Sequence, residues 1–275
     1  MTATRQRVQD WLTAFEGALR DRDVPRAAAM FDAGGFWRDL VAFSWNITTV
    51  EGPDGVADLL AARLDDVDPR GFALTGEPTE ADGVTEAWLR FETRVGRGTG
   101  HLRLRDGRAW TLLTTLRELK GFEERRPMGV EHELRPGRRS WREEREDEER
   151  TLGYERQPYV VIIGGGQGGI ALGARLRRLG VPALVLDRHD RPGDQWRGRY
   201  KSLCLHDPVW YDHLPYLPFP PSWPVFAPKD KIADWLEMYT RVMEVPYWSR
   251  AEVRSARFDA GSGTCAARCG STTPT

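Results

Sequence analysis

Three cysteines, Cys204, Cys265 and Cys269, are all that 275 residues carry. They are too few and too unevenly placed for a disulfide framework, which points to a reducing cytoplasm. The five histidines, His101, His132, His189, His206 and His213, show no metal-ligand spacing, so no metal is expected. A membrane span is also missing. The longest apolar run, Tyr159 to Ile170, is rich in glycine and broken by Gln167. The opening residues, MTATRQRVQDW, lack the apolar stretch of a signal peptide. Charge of one sign is not in excess: 40 basic side chains face 41 acidic ones, for a net charge of −1. Such a balance gives no global field to recruit nucleic acid or anionic lipid. Internal repeats and low-complexity segments do not occur. The length suffices for two domains, each with its own core.

Apolar periodicity divides the chain. Val8, Trp11, Leu12, Phe15 and Leu19 recur at helical spacing and predict an amphipathic first helix. A second short helix is expected over Pro25 to Phe31 and a third over Gly55 to Leu64, after the breaker GPDG. The period then becomes two. Ala87, Leu89, Phe91, Thr93 and Val95 alternate with Glu86, Arg90, Glu92 and Arg94, the pattern of a half-buried strand. TGHLRLR and AWTLLTTLREL follow as strands, with turns expected at Gly96 to Gly100 and at Asp106-Gly107. Helices first and antiparallel strands after predict an α+β domain over 1–124. Its tryptophans Trp37, Trp45, Trp88 and Trp110 read as core rather than as a ligand cage.

From Arg125 to Gln157 apolar residues become scarce. WREEREDEER holds six acids and three arginines in ten residues. It reads either as a docking face for a partner or as a solvated helix with i,i+4 charge pairs, and the second is preferred. Residues 125–157 are accordingly taken as a charged linker.

At Tyr159 an α/β unit begins. VVII leads into Gly164, Gly166 and Gly169, the G-x-G-x-x-G spacing, with Gln167 and Gly168 between. Gly164 permits the tight turn, Gly166 lets a pyrophosphate approach the backbone, and Gly169 lets helix and strand pack closely. Free N–H groups at the helix start, with about half a positive charge, would face the phosphates. Ala171, Leu172, Leu176 and Leu179 give that helix an apolar face, and Gly180 ends it. The strand PALVLD closes on Asp187, about 20 residues further on, where an acid can accept from ribose hydroxyls. Arg188 could serve the phosphate of NADP or the adenine of FAD. The loop alone does not separate NAD from FAD.

The segment that follows does. GDQWRGRY, LCLH and the proline-rich PFPPSWPVFAPK resemble the flavin-containing monooxygenase family, in its bacterial CzcO-like and plant YUCCA-type branches. The matching positions are Gly193, Trp196, Arg199, Tyr200, Leu203, Leu205, His206, Pro218 to Pro220, Pro228 and Lys229, within a stretch from about Tyr159 to Phe258. The resemblance implies a Rossmann-like FAD-binding domain over 158–275. Gly164, Gly166 and Gly169 would carry the pyrophosphate and Asp187 the adenosine ribose. The turn Gly193-Asp194-Gln195-Trp196 would lie along the flavin. His206 would sit beside the isoalloxazine or NADP, or make a structural hydrogen bond. Two positions depart from the family: Asp187 stands where Glu is commoner, and Gly173 where Ala is.

The implied activity is NADPH-dependent oxygenation of a small molecule at nitrogen or sulfur, or of Baeyer–Villiger type. The flavin and O2 do the chemistry, so no nucleophilic triad is required. The family's second G-x-G-x-x-G for NADPH, its F-x-G-x-x-x-H fingerprint and its A-T-G strand do not occur. GSGTCA fits the spacing formally but is discounted, since no strand is expected before it. CAARCGSTTPT reads as neither strand nor helix. Together these predict a truncated FAD domain from a shifted or prematurely ended frame, with the NADPH site in the missing part. An open apolar edge on both strands, weak FAD affinity and aggregation would follow. A non-catalytic FAD-binding or dimerising fragment is the alternative. A disulfide reductase is rejected because Cys204 lacks a nearby partner.

Residues 5–120 resemble the SnoaL-like/NTF2-like cone, on FWRDLVAFSWNITTVEGPDGVADLL and the strands after it. This implies a pocket in which Asp39 could act as a base with His101 at the mouth, though dimerisation or substrate docking is the preferred role.

Overall fold

A computed structural model describes residues 2–124 and 139–271, which form two compact units divided after Glu123. The first unit is an α+β domain in which three helices pack on one mixed sheet. Helix α1 (Ala3–Arg20) starts on Thr2, whose hydroxyl accepts from the Arg5 N–H, and it buries Val8, Trp11, Leu12, Phe15 and Leu19 as the periodicity requires. Helix α2 (Val24–Ala28) is shorter than expected, because Phe31 opens strand β1 (Phe31–Leu40). Strand β2 (Ile47–Glu51) and helix α3 (Gly52–Val67) follow, then β3 (Arg70–Leu74), β4 (Thr79–Ala81), β5 (Val84–Glu92), β6 (Gly96–Arg105) and β7 (Arg108–Leu119).

The sheet runs β2-β1-β7-β6-β5-β3, with β4 on β5. Strand β1 lies parallel to β7, so the expected order of helices first and antiparallel strands after is corrected. Seven buried aromatics fill the concave side. Phe31 stacks on Trp37 at 5.8 Å and Phe72 on Phe91 at 5.4 Å.

Two local expectations also change. The turn between β5 and β6 falls at Thr93 to Val95, and Gly96 to Gly100 are strand residues. Phe91 is the cross-strand partner of Gly98, and its ring fills the space a side chain there would need. Trp37 is fully buried, but Trp45 and Trp88 are 59% and 55% exposed and are not core. Trp110 lies half-buried under the guanidinium groups of Arg103 and Arg105, at 4.6 and 3.9 Å. The Asp106-Gly107 turn stands as expected, with both residues at positive φ.

In the second unit, helix α4 (Trp141–Thr151) opens with a capping box between Ser140 and Glu143. Strand β8 (Val160–Ile163), helix α5 (Gln167–Arg178) and strand β9 (Ala183–Leu186) make the βαβ core. A short helix α6 (Asp194–Arg197), helix α7 (Lys229–Val242), strand β10 (Tyr247–Trp248) and the hairpin β11 (Ala251–Asp259)–β12 (Thr264–Ser271) complete it. Strands β10, β9 and β8 pair in that order, all parallel. Ile162, Ile170, Ala174, Val185, Leu236 and Tyr239 are buried between α5, α7 and one sheet face.

Strand β9 is central and wholly buried, so of the two strands expected to be open only β8 is an edge, the two-residue β10 forming the other edge of this sheet. Val161 and Ile163 of β8 are exposed. The GSGTCA stretch is corrected too: β11 precedes it, and Gly261 and Gly263 lie in or beside the hairpin turn that leads into β12.

Of the expected linker, residues 125–138 lie outside the described residues. The pairs Arg142–Glu146 and Arg145–Glu149 have the i,i+4 spacing. One side of α4 nevertheless packs on its own unit. Glu148 receives Arg177 at 2.9 Å and Arg145 at 3.1 Å, while Arg177 also reaches Glu244 at 2.6 Å. Burial pulls the Glu244 carboxyl up, but Trp141 and Arg177 outweigh it and hold the carboxyl below its ordinary value. Beyond the helix, Leu152 is buried and Gly153 takes φ +88° against the Trp248 ring and Leu184, covering the second sheet face at that point. Replacing Arg177 by alanine leaves the half-buried Glu244 without its ion-pair partner and Glu148 with Arg145 alone. It should cost about 1–3 kcal/mol in urea unfolding, more at low salt than at high.

Candidate functional site

The glycine loop joins β8 to α5. Gly164 takes φ +102°, and its N–H donates to the Leu186 carbonyl at 2.9 Å. Gly166 caps α5, and the first intrahelical bond is Ile170 N–H to the Gly166 carbonyl at 2.9 Å. The first-turn N–H groups of Gln167, Gly168 and Gly169 therefore have no partner within the helix. The glycines divide by surroundings. A Cβ on Gly169 would lie 2.0 Å from the Gly164 carbonyl oxygen, whereas one on Gly168 would meet nothing within 4 Å. On Gly166 it would meet only Gln195 Nε2, at 3.6 Å. Helix and strand are thus in contact on one side, and the backbone is open to a ligand on the other.

Asp187, at the end of β9, is 8% exposed. Its Oδ2 accepts from the Gly165 N–H at 2.6 Å. Its Oδ1 accepts from the His189 N–H at 2.8 Å and lies 2.7 Å from His189 Nδ1. Burial pulls the carboxyl up, but the backbone donors His189 and Gly165 and the His189 ring hold it below its ordinary value. With about four acceptor sites on a carboxylate, one remains free for a ribose hydroxyl. His189 escaped the sequence reading, although its place two residues after Asp187 is a usable signal.

Beside the loop lies a cleft of about 410 Å³ lined by Gln167, Gln195, Trp196, Arg199 and His206, with Cys204 and Asp212. Trp196 Nε1 donates to Gln167 Oε1 at 3.2 Å and ties the start of α5 to α6. The Gln195 carboxamide is buried, and neither its nitrogen nor its oxygen finds a partner in the protein. Such orphaned polar atoms are rare in folded proteins and mark a ligand or solvent position. Burial and the nearby Asp207 push the Asp212 carboxyl up. Neither Asp207 nor Asp212 was anticipated.

The remaining predicted residues stand apart from this cleft. Gly193 takes φ +91° with its Cα against the Ala233 backbone, so it fastens the α6 turn to α7. Asp194 pairs with Arg191 at 3.2 Å and with Arg197 at 3.0 Å. Arg197 also binds Asp234 and Glu237, each at 2.8 Å, which makes this turn an ion-paired support. Arg188 is exposed.

A dinucleotide fits these residues. The helix start offers donors to a pyrophosphate, Asp187 keeps one acceptor site, and the cleft continues from the loop past an unpaired carboxamide. Among the described residues no group of side chains could hold a metal ion, and no helix is long and apolar enough to cross a membrane.

In the first unit, Asp39 is fully buried and accepts five hydrogen bonds, from the N–H groups of Ala42, Phe43 and Ser44 and the hydroxyls of Ser44 and Thr114. It orders the loop after β1 and has no capacity left to take a substrate proton. His101 lies on the outer sheet face, tilted on Trp88 with ring centroids 4.5 Å apart. Burial holds its ring below the ordinary histidine value, although Glu86 opposes this.

Comparison with known proteins bears on the second unit. The family model of an NAD(P)-binding Rossmann-like domain matches residues 162–221. The chain is 41% identical over 107 residues to indole-3-pyruvate monooxygenase YUCCA1 of Oryza sativa subsp. japonica, covering 38% of this chain and 26% of that one. It is 36% identical over 96 residues to an uncharacterized CzcO-like oxidoreductase of Geobacillus kaustophilus, covering 35% and 28%. Among solved structures, a flavin-containing monooxygenase from Stenotrophomonas maltophilia matches with 27% identity and a TM-score of 0.35, over 39% of this chain and 35% of that one. The chain thus spans about a quarter of the length of the curated relatives it matches. The resemblance to the flavin-containing monooxygenase family holds over that stretch.

Proposed function

We propose that the second unit holds FAD along its glycine loop and cleft, and that the chain serves an NADPH-using, flavin-dependent monooxygenase. The observation that carries this is the continuity of the open helix start with a cleft that contains the orphaned Gln195 carboxamide. The sequence similarity to monooxygenases supports the reaction class. In this reading Gly164, Gly166, Gln167, Gly168 and Gly169 hold the pyrophosphate through backbone N–H groups and the helix dipole. Asp187 accepts from the adenosine ribose, with Arg188 near the adenine. Of the turn from Gly193 to Trp196, Gln195 and Trp196 lie along the flavin, with Gly193, Asp194 and Arg197 fixing them from behind, and Arg199 and His206 also line the cleft. Bound FAD would supply hydride acceptance and O2 activation. The protein orients the ring and keeps bulk water from it. Oxygenation at nitrogen or sulfur and Baeyer–Villiger insertion both fit this chemistry.

A second reading is a flavin-holding, dimerising module without turnover. It draws on Phe36, Ile47 and Trp88, which are all exposed on the outer face of the first unit's sheet and offer a surface to a second copy. Purification with added FAD, a visible flavin spectrum and NADPH-dependent O2 uptake separate the two. Oxidation of NADPH with bound flavin is the expected result. A flavin spectrum without NADPH oxidation leaves the second reading, and no flavin binding overturns both.

A further inference from the structure

The Gly165 peptide, at the crest of the loop, is held from two sides. Its N–H donates to Asp187 Oδ2 at 2.6 Å, and its carbonyl accepts from the Tyr247 hydroxyl at 3.3 Å. Tyr247 lies 82 residues away, on β10, and outside the stretch matched by the Rossmann-like family model. Its backbone is fixed by pairing with Val185 on β9, the strand that Asp187 directly follows. One three-stranded sheet therefore delivers both groups that hold the Gly165 peptide.

The glycine itself is explained by the same contact. Gly165 is not among the residues with positive φ, so its backbone conformation is open to any L residue. A Cβ there would nevertheless lie 2.1 Å from the Tyr247 hydroxyl oxygen and 2.4 Å from two of its ring carbons. The phenol ring occupies the place of a side chain at 165. Burial, with Asp187 and Asp194 nearby, pushes the hydroxyl well above its ordinary value, so it remains a donor at neutral pH.

From this geometry, and resting on the FAD reading above, we infer that Tyr247 is a positioning residue for the dinucleotide: it fixes the Gly165 peptide so that the N–H groups that follow are aimed before the cofactor arrives. A loop held in advance loses less entropy on binding, and the effect appears as affinity.

The test uses the full chain and four variants, with FAD affinity read from quenching of flavin fluorescence and fold from thermal unfolding. Tyr247→Phe removes only the hydroxyl. It should raise the Kd for FAD about fivefold, as expected for one net hydrogen bond, with the unfolding midpoint little changed. Gly165→Ala should weaken FAD binding by about 100-fold or more, since the ring and the loop must separate. Tyr247→Ala empties the space, so Gly165→Ala combined with it should bind FAD at least about tenfold more tightly than Gly165→Ala alone. The rescue shows that the two side chains share one space, while a purely structural tyrosine would leave FAD affinity unchanged in Tyr247→Phe at an unchanged unfolding midpoint. Parent-like affinity in Tyr247→Phe and Tyr247→Ala, or a double variant no better than Gly165→Ala, overturns the inference and leaves the FAD reading standing. Absence of FAD binding in the parent chain overturns both.

Discussion

An Asp39→Ala chain should lose about 3–5 kcal/mol of stability in its first unit, seen in urea unfolding followed by tryptophan fluorescence. Asp39 is fully buried, and three backbone N–H groups and two hydroxyls point at it. Removing the carboxylate strands four of these donors at once, the Ser44 hydroxyl keeping the Asn46 carbonyl at 2.9 Å. The effect extends further, because Thr114, which donates to Asp39 Oδ1, also accepts from Trp37 Nε1 at 2.9 Å at the centre of the aromatic core. Asparagine should rescue little. In either orientation its amide nitrogen meets donors: Phe43, Ser44 and the Ser44 hydroxyl on one side, Ala42 and Thr114 on the other. A loss of less than about 1 kcal/mol in the alanine variant would show that the loop after β1 finds other acceptors, and Asp39 would again be open to a catalytic role.

What the sequence reveals depends on how local the cause is. Helix α1 is legible because its five predicted core residues repeat at the helical period. The nucleotide loop is legible because its glycines, the strand before it and the acid after it lie within one βαβ unit. The stretch Gly96 to Gly100 misleads for the opposite reason. Glycine is a turn signal when read alone, but here Phe91 and Leu89 of the neighbouring strand occupy the space above Gly98 and Gly100. Trp45 and Trp88 look like core by composition, but Trp88 is exposed by its strand register and Trp45 lies in the loop after β1. The charge pairs within α4 follow from its sequence. Its attachment through Glu148 to Arg177 spans 29 residues and is visible only in the fold. The same holds within the site. The resemblance implies that the whole Gly193–Trp196 turn lies along the flavin, yet only Gln195 and Trp196 line the cleft while Asp194 is used in ion pairs. Tyr247 belongs to no motif and reaches the loop only through sheet pairing.

Gly169→Ala should abolish FAD binding within the measurable range, a loss of about 100-fold or more, and should destabilise the second unit by about 2–3 kcal/mol. The added methyl carbon would lie 2.0 Å from the Gly164 carbonyl oxygen and 3.1 Å from its carbon, and both atoms are backbone. Gly164 cannot readily yield, since its N–H is bound to the Leu186 carbonyl at 2.9 Å. Relief must come from lifting α5 off β8, which swings away the N–H groups aimed at the pyrophosphate. Gly168→Ala is the matched control. Its methyl meets nothing, and in a helix interior alanine gains up to about 1 kcal/mol over glycine, so the fold should be as stable as the parent or slightly more so. Any loss of FAD affinity in that control then reports a cofactor lying against the open side of the loop. Parent-like FAD binding by Gly169→Ala would mean that close approach of helix and strand is not what aims the donors, and the proposed pyrophosphate site would fall with it.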